Sequence, residues 1–250
     1  MISQFSIGPL TIHVYGLIIA TAILIGWFVT KKRAHLFKIN DNLFDDPILF
    51  LPFILGIIGG RLYHVIDKWN FYSQNPNQIA AVTSGGLGIL GALAGIFLGF
   101  WAVAKIKKVN FLKLLDLISP ALILGQAIGR IGNFINQEAF GSPTNLPWGV
   151  YIEPVRRPLQ YLSVTHFHPT FFYEAILEVI AFVVLISLSR RFKKPGQVFG
   201  LYLILYATSR AVAEHWRIDT AQIHLIKVAY LACFFIFLAG IYLIGRKTRS

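Results

Sequence analysis

Arg130, Asn133, Asn136 and Glu138 stand close together in the segment Gly129-Arg130-Ile131-Gly132-Asn133-Phe134-Ile135-Asn136-Gln137-Glu138-Ala139-Phe140-Gly141, directly after a long apolar run from Leu114 to Ile128. Ionisable groups at the mouth of an apolar helix are costly, so they usually face a protein interior or a watery cavity and serve a function. A guanidinium binds phosphate through two parallel hydrogen bonds and keeps its charge at every physiological pH. Neighbouring asparagine amides donate to phosphate or hydroxyl oxygens. The plainer reading has Arg130 snorkelling to lipid headgroups, but it leaves Asn133, Asn136 and Glu138 without a reason to gather there.

Other polar residues fall in comparable places. Arg61 follows Gly56-Ile57-Ile58-Gly59-Gly60, and Arg130 follows Gly125-x-x-x-Gly129; both small-residue patterns predict close helix approach. Arg210, Glu214 and Arg217 are spaced i, i+4 and i+7, which predicts one shared helix face. Tyr15, the glycine-rich Ser84-Gly85-Gly86-Leu87-Gly88 and Glu174 in His168-Pro169-Thr170-Phe171-Phe172-Tyr173-Glu174 also map to helix ends. Taken singly, Tyr15 reads as an interfacial tyrosine and Arg210–Glu214 as a structural ion pair. Glu178, one turn below Glu174, has no evident partner. Asp116 lies toward the opposite end and reads as structural, while His13, His35, His166, His215 and His224 read as solvated. No metal-ligand cluster, Ser-His-Asp signature, Walker motif or dinucleotide motif is visible, so neither metal nor cofactor is expected. Several arginines with amides, set in an apolar bundle, suit an anionic phospholipid.

The elements that must position these groups are membrane helices. Of the 250 residues, 56% are hydrophobic and only 14% charged, with a mean hydropathy of +0.63; soluble domains carry about 25% charged residues. Apolar windows of spanning length predict seven helices, at about 13–30, 47–66, 85–104, 113–133, 170–189, 197–216 and 226–245, in a single membrane domain over 1–250. The net charge of +12 is a topology signal and no sign of nucleic-acid binding: fifteen basic residues fall in alternate loops and the C-terminus, and only Lys68, Arg156, Arg157, Arg217 and Lys227 in the others. Positive loops stay in the cytoplasm, so the N-terminus is expected outside, the C-terminus inside, and the arginines toward the outer leaflet. The first basic residue is Lys31 and no small-residue cleavage pattern follows, so no signal peptide is expected. The lone Cys233 excludes disulfide frameworks within one chain and reads as a small buried hydrophobe. The loop at about 134–169 carries five prolines and several aromatics; a loop of that length is expected to form a structured outer cap with a functional role.

The segment Gly129 to Gly141 closely resembles the signature of prolipoprotein diacylglyceryl transferase, a family of bacterial membrane enzymes. The resemblance extends through Tyr15-Gly16-Leu17, Gly59-Gly60-Arg61, His168-Pro169 to Tyr173-Glu174, and Arg210-x-x-x-Glu214-x-x-Arg217. It implies an all-α integral membrane protein with seven spans, the N-terminus outside and the C-terminus cytoplasmic, in the bacterial cytoplasmic (inner) membrane. The implied reaction moves the diacylglyceryl group of phosphatidylglycerol to the lipobox cysteine thiol of a prolipoprotein, releasing glycerol phosphate. The nucleophile arrives on the substrate, so the enzyme needs none of its own. By resemblance, Arg130 and Arg210 are expected on the phosphate, and Tyr15 at a position important for activity. Asn133, Asn136 and Glu138 would orient the headgroup or hold Arg130, and Arg61 and Glu214 would make headgroup or supporting contacts. Phosphatidylglycerol, the signal peptide of the prolipoprotein and surrounding lipids are the implied partners.

One position departs from the family. A histidine commonly follows the glycine-rich start of the third span, in a Gly-Gly-x-x-x-His-Gly pattern, and Leu90 stands there in this chain. Leucine accepts no proton. A free thiol is already about 3% thiolate at pH 7 and more beside arginines; alternatively Tyr15, His64, His168 or Glu138 takes the proton. Two other classes remain open on sequence grounds: a transporter for an anionic solute, and an inactive lipid-binding relative.

Overall fold

The computed structural model describes residues 4–7, 10–81, 85–223 and 226–246, with only the backbone for 4–7, 10–13, 223 and 226. Ser84, His224, Lys247 and Arg249 therefore lie outside the described residues, and of His13 only the backbone is described. Seven long helices form: α1 Val14–Arg33, α2 Leu51–Asp67, α3 Ile89–Ile106, α4 Phe111–Asn136, α5 Thr170–Leu188, α6 Gln197–Glu214 and α7 Val228–Gly245. Each coincides within a few residues with an expected span. The third starts later than expected because Gly85 and Gly86 sit at φ of +87° and +76°, a left-handed conformation that no helix continues. Six of the helices are long and apolar enough to cross a membrane. Among the described residues the regular structure is helical apart from three short ribbons, and the multiple apolar helices make this a multi-pass membrane protein. α6 is not among those six, since Arg210, Glu214 and its tyrosines and hydroxyls lower its mean hydropathy.

The chain forms two compact units, residues 34–114 and residues 1–33 with 115–250. In the first, α2 and α3 touch backbone to backbone. A Cβ on Gly59 or Gly91 would overlap the facing carbonyl group, and one on Gly95 would meet the Leu55 carbonyl. The expected close approach through Gly56, Gly59 and Gly60 is thus present. Small residues let such helices gain dispersion contacts that larger side chains would prevent.

The second unit holds α1, α4 from Leu115, and α5 to α7. Here the backbones of α6 and α7 meet at Gly200 and Gly240, where an added Cβ would lie 2.8 and 2.6 Å from the opposite carbonyl oxygen. By contrast, a Cβ on Gly125 or Gly129 meets nothing within 4 Å. That pair was expected to mark a helix contact and does not.

Asp116 is only 2% exposed and has a definite structural task. Gly196 N–H donates to its Oδ2 at 2.6 Å and Phe199 N–H to its Oδ1 at 2.8 Å. α6 has no side chain of its own at the N-cap, where Gly196 stands at φ +95°. A carboxylate from α4 therefore satisfies the helix's first free N–H groups and complements its positive end. Asp116→Ala should lower stability by about 2–3 kcal/mol, by loss of two charge-assisted bonds to a buried helix start; thermal unfolding in detergent would register it, with Asp116→Asn intermediate.

Candidate active site

Glu174 lies in the first turns of α5 and is fully buried. Three guanidinium groups surround it: Arg130 from α4 at 3.1 Å, Arg210 from α6 at 3.7 Å, and Arg217 beyond α6 at 3.7 Å. Glu178, one turn deeper and also fully buried, is 3.4 Å from the same Nη2 of Arg130 that faces Glu174. This is the partner that Glu178 lacks in one dimension. The arginines contact Glu174 mainly by charge; neither carboxylate oxygen has a hydrogen bond of good geometry among the described residues. Their N–H groups are consequently not all committed to it.

The end of α6 supplies the rest. Arg210 Nη1 is 2.5 Å from Glu214 Oε2, and Glu214 is fully buried. The helix ends at Glu214, so Arg217 is not on the expected helix face. It sits in the following turn and still reaches Glu174, while donating through Nε and Nη2 to both oxygens of Asp219 at 2.9 and 2.8 Å. Lys227 closes this end: its Nζ donates to the Glu214 carbonyl at 2.6 Å and the Arg217 carbonyl at 2.5 Å, and lies 3.8 Å from Glu214 Oε1. An ammonium there satisfies orphan carbonyls and suits the negative end of the helix. Four cations (Arg130, Arg210, Arg217, Lys227) thus meet four carboxylates (Glu174, Glu178, Glu214, Asp219). Desolvation makes such networks a poor source of stability, so their value lies in placing charge.

The signature segment shapes the neighbouring wall. Asn133 Nδ2 donates to Glu138 Oε1 at 2.9 Å and Asn136 Nδ2 to the same oxygen at 3.4 Å. Asn133 Oδ1 is 3.5 Å from Arg130 Nη1, so the chain Arg130–Asn133–Glu138 links arginine to carboxylate. Gln137, at φ +52°, turns the chain so that Glu138 faces back to Asn133, and Ala139 follows at φ +58°; both lie in a strained region for residues with a Cβ, costing about 1–2 kcal/mol each. The Gln137 side chain accepts from Glu153 N–H at 2.7 Å, which helps hold that turn. Two signature glycines are required by contact. A Cβ on Gly132 would overlap the Tyr15 ring; one on Gly141 would lie 2.8 Å from His168 Cβ and Thr170 Cγ2 and 2.9 Å from the Trp216 carbonyl. Tyr15, in the first turn of α1, is thus seated against the signature.

After α4, the chain folds back over the starts of α5 and the end of α6. Gly141 N–H donates to the His168 carbonyl at 2.8 Å and Ser142 N–H to the Trp216 carbonyl at 2.8 Å. A small core of Phe140, Ile152, Phe167 and Phe171 lies beneath, and strands β1 Val150–Tyr151 and β2 His166–Phe167 pair antiparallel. His168 Nδ1 is 3.1 Å from the Tyr173 hydroxyl, and burial pushes its imidazole below the ordinary value, so it is neutral at pH 7.

Arg61 belongs to the other unit. Its Nε donates to Ile79 carbonyl at 2.8 Å, Nη2 to Gln78 at 2.5 Å, and Nη1 to Gly85 and Gly86 at 2.7 and 3.1 Å. These bonds organise the loop before α3. Against the same loop packs His64, whose ring atoms lie 2.6 Å from a Cβ built on Gly86. Leu90 is 60% exposed on α3. Among the described residues, no three of His, Cys, Asp or Glu gather so as to hold a metal ion.

The family model for prolipoprotein diacylglyceryl transferase matches residues 3–246. The chain belongs to that family. Among curated relatives, the phosphatidylglycerol–prolipoprotein diacylglyceryl transferase of a Nostoc species is 44% identical over 230 residues, covering 89% of this chain and 81% of the relative. The Finegoldia magna protein of the same name is 38% identical over 241 residues, 96% of this chain and 92% of its own. That of Staphylococcus haemolyticus is 37% identical over 246 residues, 96% and 85%.

Of the residues expected at the site, Arg130, Asn133, Asn136, Glu138, Arg210 and Glu214 join one hydrogen-bonded or ion-paired region, with Tyr15 against it. Glu174, at its centre, lies in a segment that the sequence singles out but carries no assigned role there; Glu178 has no evident partner in the sequence, and Lys227 counts only as a loop charge. The available signal was the i, i+4 pair of carboxylates inside an apolar helix, which demands buried cations. Lys227→Met should cost about 1–2 kcal/mol by removing the cap from α6 and should speed amide hydrogen exchange at Trp216 and Arg217; unchanged exchange would show that the ammonium does not hold this turn.

Proposed function

We propose that this chain transfers the diacylglyceryl group of phosphatidylglycerol to the lipobox cysteine thiol of prolipoproteins, as its relatives' names state for them. The observation that carries the reading is the arginine cluster around Glu174, within a family whose reaction needs a phosphate bound next to lipid. The thiol sulfur attacks the glyceryl carbon that carries the phosphate ester. The new S–C bond forms as the C–O bond breaks, the thiol loses its proton, and glycerol phosphate departs. The leaving group changes from a phosphodiester of charge −1 to a monoester that carries about −1.5 to −2 at pH 7. Arg130 and Arg210 stabilise the growing charge without surrendering protons. Asn133, Asn136 and Glu138 orient the headgroup and hold Arg130; Tyr15 lines the same wall; Glu214 steadies Arg210. Arg61 holds the glycine-rich loop before α3 in place.

The same reading has seven spans including α6, whose charged end is sheltered by its carboxylate and arginine partners. The N-terminus and the cap over residues 137–169 face outward and the basic loops face the cytoplasm, in the bacterial inner membrane. The active site then opens toward the outer leaflet, where secreted preproteins present their lipobox. Loss of the thiol proton does not need Leu90. Tyr15, His168 and Glu138 lie in the same unit as the cluster, and arginines raise the thiolate fraction.

The test uses purified protein in vesicles containing phosphatidylglycerol and a synthetic lipobox peptide, read by mass spectrometry. A thioether-linked diacylglyceryl mass gain is expected, absent with a Cys→Ser peptide; no gain, even with Leu90→His, would overturn the assignment. Arg130→Lys should lower turnover about 100-fold, the usual cost of losing one donor to a developing oxyanion, and unchanged turnover would remove Arg130 from that role.

A further inference from the structure

The segment between β1 and β2 forms a finger that the proposed chemistry does not use. Pro154–Arg156 and Leu159–Tyr161 are single 3-10 turns, with Pro154 and Pro158 restricting φ at the start of each turn. Arg157 cinches the base. Its Nε donates to the Ile152 carbonyl at 2.8 Å and its Nη1 to the Leu162 carbonyl at 2.9 Å, while the guanidinium lies over the Tyr151 ring, 5.4 Å from its centroid. Ile152 and Phe167 anchor the root in the small core. The finger is therefore a built feature with a fixed presentation.

What it presents is aliphatic. Val155 is 84% exposed and Leu159 88%, above every other exposed large hydrophobic residue among the described ones, including Ile89 at 73% and Ile66 at 72% on the apolar helices. Single exposed aliphatics are ordinary on any protein surface. Two on one short proline-fixed, arginine-cinched loop, with Leu162 also exposed and Arg156 exposed between them in the chain, give the loop an apolar character with a cation beside it.

The root of the finger sits at the end of a membrane-crossing helix. β2 ends at Phe167, shortly before α5 starts at Thr170. Trp148 Nε1–H donates to the hydroxyl of Tyr173, in the first turn of α5, at 2.9 Å. Trp148 and Tyr151 are themselves exposed, and such rings favour the headgroup level where a helix leaves hydrocarbon. The surface available at that level is lipid, and an exposed arginine beside aliphatic side chains matches anionic headgroups above an acyl layer.

We propose that the finger Pro154–Leu162 dips Val155 and Leu159 into the headgroup–acyl boundary of the leaflet around the start of α5, with Arg156 on anionic headgroups. It would act as an interfacial foot that keeps the cap against the membrane. This goes beyond the transferase reading and needs only that the helices span lipid.

Nitroxide labels on single cysteines test it, in a Cys233→Ala background reconstituted into phosphatidylglycerol-containing nanodiscs. Val155→Cys and Leu159→Cys would be compared with Ser163→Cys, an exposed polar neighbour on the same loop. All three sites are exposed, so the variants should fold as the parent, which thermal unfolding verifies. Collision with oxygen, which concentrates in lipid, relative to a water-soluble nickel chelate should be at least about threefold higher at 155 and 159 than at 163, as expected for side chains below the headgroups. Equal, water-like ratios at all three sites would overturn the proposal. So would labels that stay water-exposed until a lipobox peptide is added, which would make the finger a protein-docking surface. The readout requires no turnover, so it fails or succeeds separately from the transferase assay.

Discussion

A fully buried carboxylate, Glu174, is faced by three guanidinium groups inside a bundle of apolar helices, and the arrangement of α4, α5 and α6 depends on it. In hydrocarbon, neither the carboxylate nor the arginines could be buried alone. Together they set the helices at a distance their side chains can bridge. The cost of desolvating three carboxylates and the cations around them makes this an inefficient way to hold helices together. It is an efficient way to keep guanidinium groups partly exposed, at 13–18% for the three arginine side chains, which on the proposed reading leaves them ready for a phosphate that grows more negative as the reaction proceeds.

The rest of the second unit reads as support for that placement. Asp116 pins the start of α6 and Lys227 its end, so the helix that carries Arg210 is capped at both ends by charges from neighbours. The left-handed turn at Gln137 returns Glu138 to Asn133, and Gly141 passes where His168, Thr170 and Trp216 leave no room for a Cβ. Strain and close approach concentrate in the signature because its polar groups must meet a helix end at fixed geometry. A lysine in place of arginine could keep the charge but not the planar fork.

Much of this was legible in the amino-acid order. Long apolar runs must become helices in a membrane because every backbone group needs a partner there, so the six most apolar helices fall where hydropathy puts them. The polar groups of the signature and the Arg210–Glu214 pair were visible as local patterns. What was not legible depended on distant segments. Glu178 has a partner only because α4 crosses α5, and Lys227 acts only because a ribbon returns it to α6. Arg217 lies past the helix end, since the chain turns at His215 and cannot keep i+7 spacing. Gly125 and Gly129 show the reverse error: a small-residue pattern permits close approach but does not compel it. Arg61 illustrates a further ambiguity, for an arginine after glycines serves loop carbonyls here as well as it would serve an anion.

The most direct measurement of the central claim is the release of glycerol phosphate from phosphatidylglycerol, followed alongside thioether formation, for the wild type and Glu174→Gln. Release should require the thiol peptide and match the thioether formed one for one. It should fall by about 100-fold or more in Glu174→Gln, where a neutral amide can no longer hold three guanidinium groups in place for the leaving phosphate. Release by a folded Glu174→Gln protein at the wild-type rate would contradict the view that this buried carboxylate organises the site.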